Sequence, residues 1–332
     1  MNTNLKLLAA GVAAAVFAQA VPAGAQQAIR IGTSSVGSNY YVQAVGVGEV
    51  IHKKAGINTS VQAVGGSAAT VRGIGAGKIE FGMANSFAAV TGFNGTYSFK
   101  KSGPVKVRLV VQGAPSHRTI VFRTGSGVKT PKDLEGKTFI GERRPLPELK
   151  LITRALFKVY GVDAGKVKVV GTTNTGQALK NLVVGSVAGA MLPVGRKAGN
   201  FQKPYSDGAF EFFHISKAKR DEMLKHLPGL IYGRTFDKDS FVGMKKQVYV
   251  FAMNTLFLTR PDVSDDTVYK VTKSIVENVA LGKTYHRDLA HWNTRNSLTN
   301  VQLPFHPGAV RYYKEKGVWT AELEATQKRL LK

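Results

Sequence analysis

The chain has 332 residues, a formal charge of +25 and no cysteine, and its isoelectric point lies near 10.1. Without cysteine there are no disulfides, no cysteine-ligated zinc and no thiol nucleophile, so stability has to come from a buried core, which a chain of this length builds in about two domains. The charge favours acidic partners, yet Lys and Arg are spread along the whole chain with no basic helix or aromatic-interleaved stripe, so nucleic acid is not an expected partner.

Residues 1–25 have the form of an export leader: Lys6 opens it, the run Leu7 to Ala20 is almost wholly apolar, and Ala23-Gly24-Ala25 offers small residues for cleavage. The expected mature chain starts near Gln26. No later stretch reaches the roughly 18 apolar residues of a membrane span, so the expected product is soluble and periplasmic.

Ile29 and Ile31 alternate with Arg30 as a short strand, and the polar stretch from Gly32 to Tyr41 then turns into a helical pattern. The first amides of a helix lack intrahelical acceptors and carry the positive end of its dipole, so such a turn suits a carboxylate or phosphate. Thr33, Ser34, Ser35 and Ser38 add hydroxyl donors beside it. The plainer alternative is that Ser38 or Asn39 only caps the helix. Val42, Val45, Val47 and Val50 predict the helix face, and His52 to Gly56 its stop. A strand at Val61 to Val64, the turn Gly65-Gly66-Ser67 and a helix through Ala68, Val71 and Ile74 follow. The strand Ile79 to Met83 then ends in Ala84-Asn85-Ser86. Gly73-Ile74-Gly75-Ala76-Gly77 superficially matches a dinucleotide fingerprint, but it precedes a strand instead of following one and is expected to end a helix.

Val105 to Gln112 reads as a strand and Gly113-Ala114-Pro115 as a crossing point, after which a second α/β lobe begins with the strands Ile120 to Phe122 and Thr138 to Ile140. The turn Gly141-Glu142-Arg143-Arg144-Pro145 leads into a helix with Leu149, Ile152, Leu156 and Val159 on one face and a stop at Gly161. Two guanidiniums at a helix start are unfavourable unless an anion sits there, and arginine grips a carboxylate bidentately. The alternative is a solvated pair offset by Glu142 or Glu148. Residues 167–192 repeat the strand, polar turn, helix, glycine and strand of the first lobe. Residues 196–244 carry little pattern. The long β-type run from Val248 to Arg260 returns the chain to the first lobe, and a helix runs from about Ser264 to Val279.

The segments Ile31 to Tyr41, Gly65-Gly66-Ser67, Gly77 to Gly82, Lys129 to Lys137 and above all Leu303 to Gly317 resemble the TAXI class of extracytoplasmic solute receptors, which serve TRAP (tripartite ATP-independent periplasmic) transporters. The resemblance spans roughly residues 28–318. It implies an α/β, two-lobe periplasmic binding protein fold of type II-like form, with a ligand cleft between lobes joined by hinge strands. The expected division is a leader at 1–25, lobe 1 at 26–113 plus 252–332, and lobe 2 at 114–251. Carried over by position, the expected ligand-binding residues are Thr33, Ser34, Ser35, Tyr40, Gly66, Ser67, Asn85, Ser86, Arg143, Arg144, Pro193 and Val194. The chain departs from the family in having Thr33-Ser34-Ser35-Val36 and Glu142-Arg143-Arg144-Pro145 where relatives are richer in glycine and serine.

The expected function is therefore a monomeric receptor that holds a small organic anion, a carboxylate or an acidic amino acid, and delivers it to a TRAP-type membrane permease. The alternative is a ligand-sensing subunit of a membrane sensor or the receptor of an ATP-driven importer. No Gly-x-Ser-x-Gly elbow, His-Glu-x-x-His motif or cysteine nucleophile is present, so no enzyme is expected. The seven histidines are scattered, and His286 and His291 diverge on a helix, so no metal and no cofactor are expected.

Overall fold

The computed structural model describes residues 28–332, and the leader expected at 1–25 lies outside the described residues. Strand β1 (Ile29–Thr33) forms where alternation predicts it, with Ile29 and Ile31 buried and Arg30 turned outward onto Glu80. Helix α1 (Asn39–Ala55) follows, capped by Ser38, whose hydroxyl accepts from the Tyr41 amide, and stopped by Gly56. Its buried face differs from the expected one. Val42 and Val45 are exposed, and Tyr40, Ala44, Val47 and Ile51 point inward. Gly46 explains the rotation: any side chain there would overlap Tyr285 and Leu289, so this face makes the closest approach to the C-terminal elements.

Strand β2 (Thr59–Ala63), helix α2 (Ser67–Gly75), strand β3 (Phe81–Asn85) and helix α3 (Ser86–Phe93) complete the first α/β unit. The glycine run 73–77 ends α2, as its place before a strand requires. The strands expected at Val105 to Gln112 and Ile120 to Phe122 are one 16-residue strand, β4 (Arg108–Arg123), and the chain crosses between the units along it, through Gly113 to Pro115. Strand β5 (Thr138–Glu142), helix α4 (Glu148–Tyr160), strand β6 (Lys168–Gly171), helix α5 (Thr175–Val183) and strand β7 (Gly189–Val194) form the second unit. Strands β8 (Phe210–Phe212) and β9 (Tyr232–Phe236) give order to a region with little sequence pattern, and β10 (Val248–Thr259) is the long return run.

One ten-stranded sheet links everything, in the order β2-β1-β3-β10-β4-β7-β5-β6, with β8 beside β4 and β9 beside β10. The outer triplets β2-β1-β3 and β7-β5-β6 are parallel, whereas β10 and β4 are antiparallel to each other and to the strands they join. The two crossing strands thus carry the chain between two parallel sheets. Their register slips between the pairs Asn254–Pro115 and Leu256–Gln112, which accommodates Pro115 in a strand despite its missing amide donor. One core packs β1, β3, the Val107 to Val111 end of β4 and the C-terminal helices. Two further clusters pack around β5, β7 and α4, and Phe87 at the start of α3 reaches into one of them.

The motif that carries the resemblance most specifically is structural. His306 caps the helix Pro307–Glu315, and Gly308 lets that helix lie directly against the Asp265 backbone. Among the described residues no helix is long and apolar enough to cross a membrane.

Gly113 on β4 abuts the buried indole of Trp292, which a methyl group would overlap. Gly113→Ala is expected to cost about 1–3 kcal/mol by overpacking the crossing strands, read as a lower urea midpoint with an unchanged denaturant slope.

Candidate functional site

Four of the sequence-predicted residues, Ser34, Tyr40, Pro193 and Val194, meet where the two parallel units face each other across β4. A cavity of about 40 Å³ lies there, lined by Ser34, Ser38 and Tyr40 from the first turn, Thr175 from the start of α5, and Pro193 and Val194 from the end of β7. This is room for a few water molecules. Ser38 and Asn39 line the cavity as well, so the residue that caps α1 also faces the site.

The charged group of the cavity is Arg118, which was not anticipated. It sits on β4 at a position where the alternation with Ile120 and Phe122 calls for an apolar side chain, and that lone arginine in a buried strand is the sequence signal for it. Arg118 is 1% exposed. Its Nε and Nη2 donate to Glu148 Oε1 at 3.0 and 2.5 Å, and Nη1 donates to Ser116 Oγ at 2.9 Å and to the His117 carbonyl at 2.8 Å. Glu148 stands at the first position of α4, where the helix dipole favours a carboxylate. Its Oε1 also accepts from Asn85 Nδ2 at 3.0 Å, whereas Oε2 is buried with no partner. Tyr40, whose hydroxyl shares a hydrogen bond with Thr255 Oγ1, has its phenol pushed up mainly by burial.

Arg143 and Arg144 separate sharply. Arg144 is exposed, and Arg143 is buried and crosses between the units. Arg143 Nη2 donates to Ser35 Oγ at 2.8 Å and to the Gly65 carbonyl at 2.5 Å, and Nη1 donates to Thr175 Oγ1 at 3.3 Å. Burial, and then the neighbouring Arg118, bring its guanidinium down to about 10, while Glu148 acts against them. Neither acidic residue considered as its partner pairs with it, since Glu142 pairs with Lys150 and Glu148 with Arg118. Both arginines precede α4 by several residues, so they do not stand at the helix start. Beside Arg143, the Ala68 amide donates to the Pro145 carbonyl at 3.2 Å, and Gly66 is packed against Pro145 and Leu146. The turn 141–146 is thus docked onto the turn 65–68.

The remaining predicted residues bind the protein itself. Ser67 Oγ accepts from the Asn85 amide at 3.0 Å, Asn85 Oδ1 caps α3 through the Ala88 amide at 2.8 Å, and Ser86 Oγ accepts from the Asn254 amide at 3.2 Å. Thr33 is fully buried, and its hydroxyl has no partner.

The fold is the α/β fold of periplasmic solute-binding proteins. PhnD1 from Prochlorococcus marinus in complex with methylphosphonate superposes with a TM-score of 0.56 at 10% identity, over 88% of this chain and 98% of that one. A Xanthomonas citri protein bound to ATP gives a TM-score of 0.50 at 10% identity, over 91% and 98%. The arginine-, lysine-, histidine-binding protein ArtJ from Geobacillus stearothermophilus gives 0.46 at 14% identity, over 80% and 95%. Within that fold, the chain belongs to the NMT1-like family, whose profile matches residues 31–317.

Removing one member of the buried ion pair leaves the other charge uncompensated. Arg118→Met is expected to cost about 3–5 kcal/mol, and the double change Arg118→Met with Glu148→Leu to recover most of it, measured by denaturant unfolding. His117, on the opposite face of β4, gives a second test. Burial, and then Arg196, Arg118 and Arg234, lower its imidazole from the ordinary 6.5 to about 3. Between those values the unfolded chain takes up a proton that the folded chain refuses, so stability falls as pH falls through that window, by up to about 1.4 kcal/mol per pH unit from this group. In unfolding titrations at pH 7, 5 and 4, His117→Gln is expected to lose less stability than the native chain.

Proposed function

We propose that the protein is a periplasmic receptor that captures a small organic anion, a carboxylate or an acidic amino acid, between lobe 1 (26–113 plus 252–332) and lobe 2 (114–251). In this reading it acts as a monomer without catalysis and delivers its ligand to a TRAP-type permease, as the TAXI resemblance implies. The observation that carries the reading is the charge balance of the cleft: Arg118 and Arg143 are buried there with Glu148 as the carboxylate between them. One positive charge is left over in a desolvated place, and a ligand with one net negative charge neutralises it.

Arg118, paired with Glu148, is the cationic side chain of the cavity lining, and the hydroxyls of Ser34, Tyr40 and Thr175 orient the acid group. Pro193, Val194 and Leu146 accept its carbon skeleton. Arg143 acts as a latch: its bonds to Ser35 and Gly65 exist only while the lobes are closed, so it raises affinity by favouring the closed state. The cavity of about 40 Å³ holds only a few water molecules, so in this reading the lobes part to admit an organic acid and shut on it.

The test begins with a thermal-shift panel of mono- and dicarboxylates and acidic amino acids, since a ligand of the native state raises its apparent stability. Small-angle scattering with the strongest hit is expected to give a smaller radius of gyration. Arg143→Ala is expected to weaken that hit about tenfold to a hundredfold, the loss of about 1.5–3 kcal/mol of charge-assisted bonding, and Arg144→Ala to stay within about threefold of wild type. A panel without a hit, or equal behaviour of the two variants in calorimetric titration, would count against the reading.

A further inference from the structure

Among the described residues, a larger space than the cleft also lies between the lobes. On β4, Ser116 and Arg118 line the cleft, whereas Pro115 and His117 line a groove of about 990 Å³. Alternate residues of a strand point to opposite faces, so the groove lies behind the crossing strands. Its walls come from both lobes: Arg287 and His291 on one side, Arg196, Tyr232 and Arg234 on the other.

The groove is strongly positive. Asp288 is the acidic residue of its lining, and Asp288 Oδ2 already accepts from Asn39 Nδ2 at 3.1 Å. Arg234 has no carboxylate within ion-pair distance among the described residues, and its guanidinium lies 5.5 Å from the centre of the Tyr232 ring. Arg196 lies similarly 5.7 Å from Phe236; its Nη2 donates to the Thr235 carbonyl at 2.8 Å and its Nη1 reaches the largely exposed Asp237 at 3.4 Å, which hold the group at the groove wall with its remaining N–H donors uncommitted. An aromatic face behind a guanidinium holds its plane, and for Arg234 it leaves the N–H edge open to an oxyanion. Burial first, and then Arg196, Arg118 and Arg234, hold the imidazole of His117 low, so two of the groove arginines act on another group of its lining.

We propose that this groove is a second binding site, distinct from the solute cleft, for a small anion with two or more acidic groups of the di- or triphosphate class, held by Arg196 and Arg234 from one lobe and Arg287 from the other. Of the three guanidiniums, Arg196 has the exposed Asp237 at 3.4 Å, Arg287 has Asp288 at 3.8 Å and Arg234 has no carboxylate, a cluster that matches a multivalent anion better than a single carboxylate. Asn254, whose Oδ1 accepts from the Tyr232 hydroxyl at 2.6 Å, also lines the groove and has its Nδ2 donors for a phosphate oxygen. The site does not depend on the solute reading of the cleft.

Inorganic triphosphate is the probe, titrated calorimetrically into the full chain at matched ionic strength. Saturable one-to-one binding is expected, weakened tenfold or more by Arg196→Gln and by Arg234→Gln and close to abolished by both together, with Arg154→Gln as an exposed charge control that leaves it unchanged. The nitrogen resonances of His117 are expected to report a raised imidazole pKa on addition of triphosphate, which ties the anion to this groove. Thermal unfolding of each variant confirms that it is folded. No saturable binding, binding that the double variant retains, or an equal loss in Arg154→Gln overturns the proposal.

Discussion

The buried pair of Arg118 and Glu148 is the constraint on which the arrangement of the site depends. Both charges are out of water, and desolvating them costs more than their attraction returns unless further hydrogen bonds complete the geometry. Those bonds come from Ser116 and the His117 carbonyl on the crossing strand and from Asn85 in the first lobe, while Glu148 itself stands in the first turn of α4 in the second, where the helix dipole favours it. A crossing strand and both lobes are therefore tied to one point, and the cavity lies beside it.

Around that point, the polar residues divide into those that face the cavity and those that hold its walls. Ser34, Ser38, Tyr40 and Thr175 face it. Ser67, Asn85 and Ser86 have the same chemistry but spend their donors and acceptors on backbone amides of neighbouring elements. A strand-end turn has to satisfy its own amides before it can serve a ligand. Arg143 belongs to neither group, because it reaches across and makes the docking of the two turns charge-assisted.

The crossing strands give the molecule two faces with different chemistry. Alternation along β4 sends Arg118 into a tight space with a carboxylate partner, and sends His117 into a wide groove where arginines outnumber carboxylates. An imidazole among like charges and partly out of water stays neutral, while the phenol of Tyr40 on the other face is held protonated by burial.

Much of this was legible in the residues. Alternation announced β1 and β-type apolar runs announced β3 and β10, the glycines at 56 and 161 stopped their helices, and the polar strand-end turns at 33–40, 65–67 and 141–145 lie around the cleft. These features are local, set by backbone propensity and by the side-chain alternation of single elements. The continuity of β4 through Gly113 and Pro115 was not legible, because a turn-like tripeptide is kept extended only by pairing with β10 and by contact with Trp292. The separate fates of Arg143 and Arg144, adjacent and identical in type, were also hidden, as was the partner of Glu148. Which arginine is buried, and against which carboxylate, depends on side chains 30 to 108 residues apart in the chain, and only the tertiary structure brings them within hydrogen-bond reach.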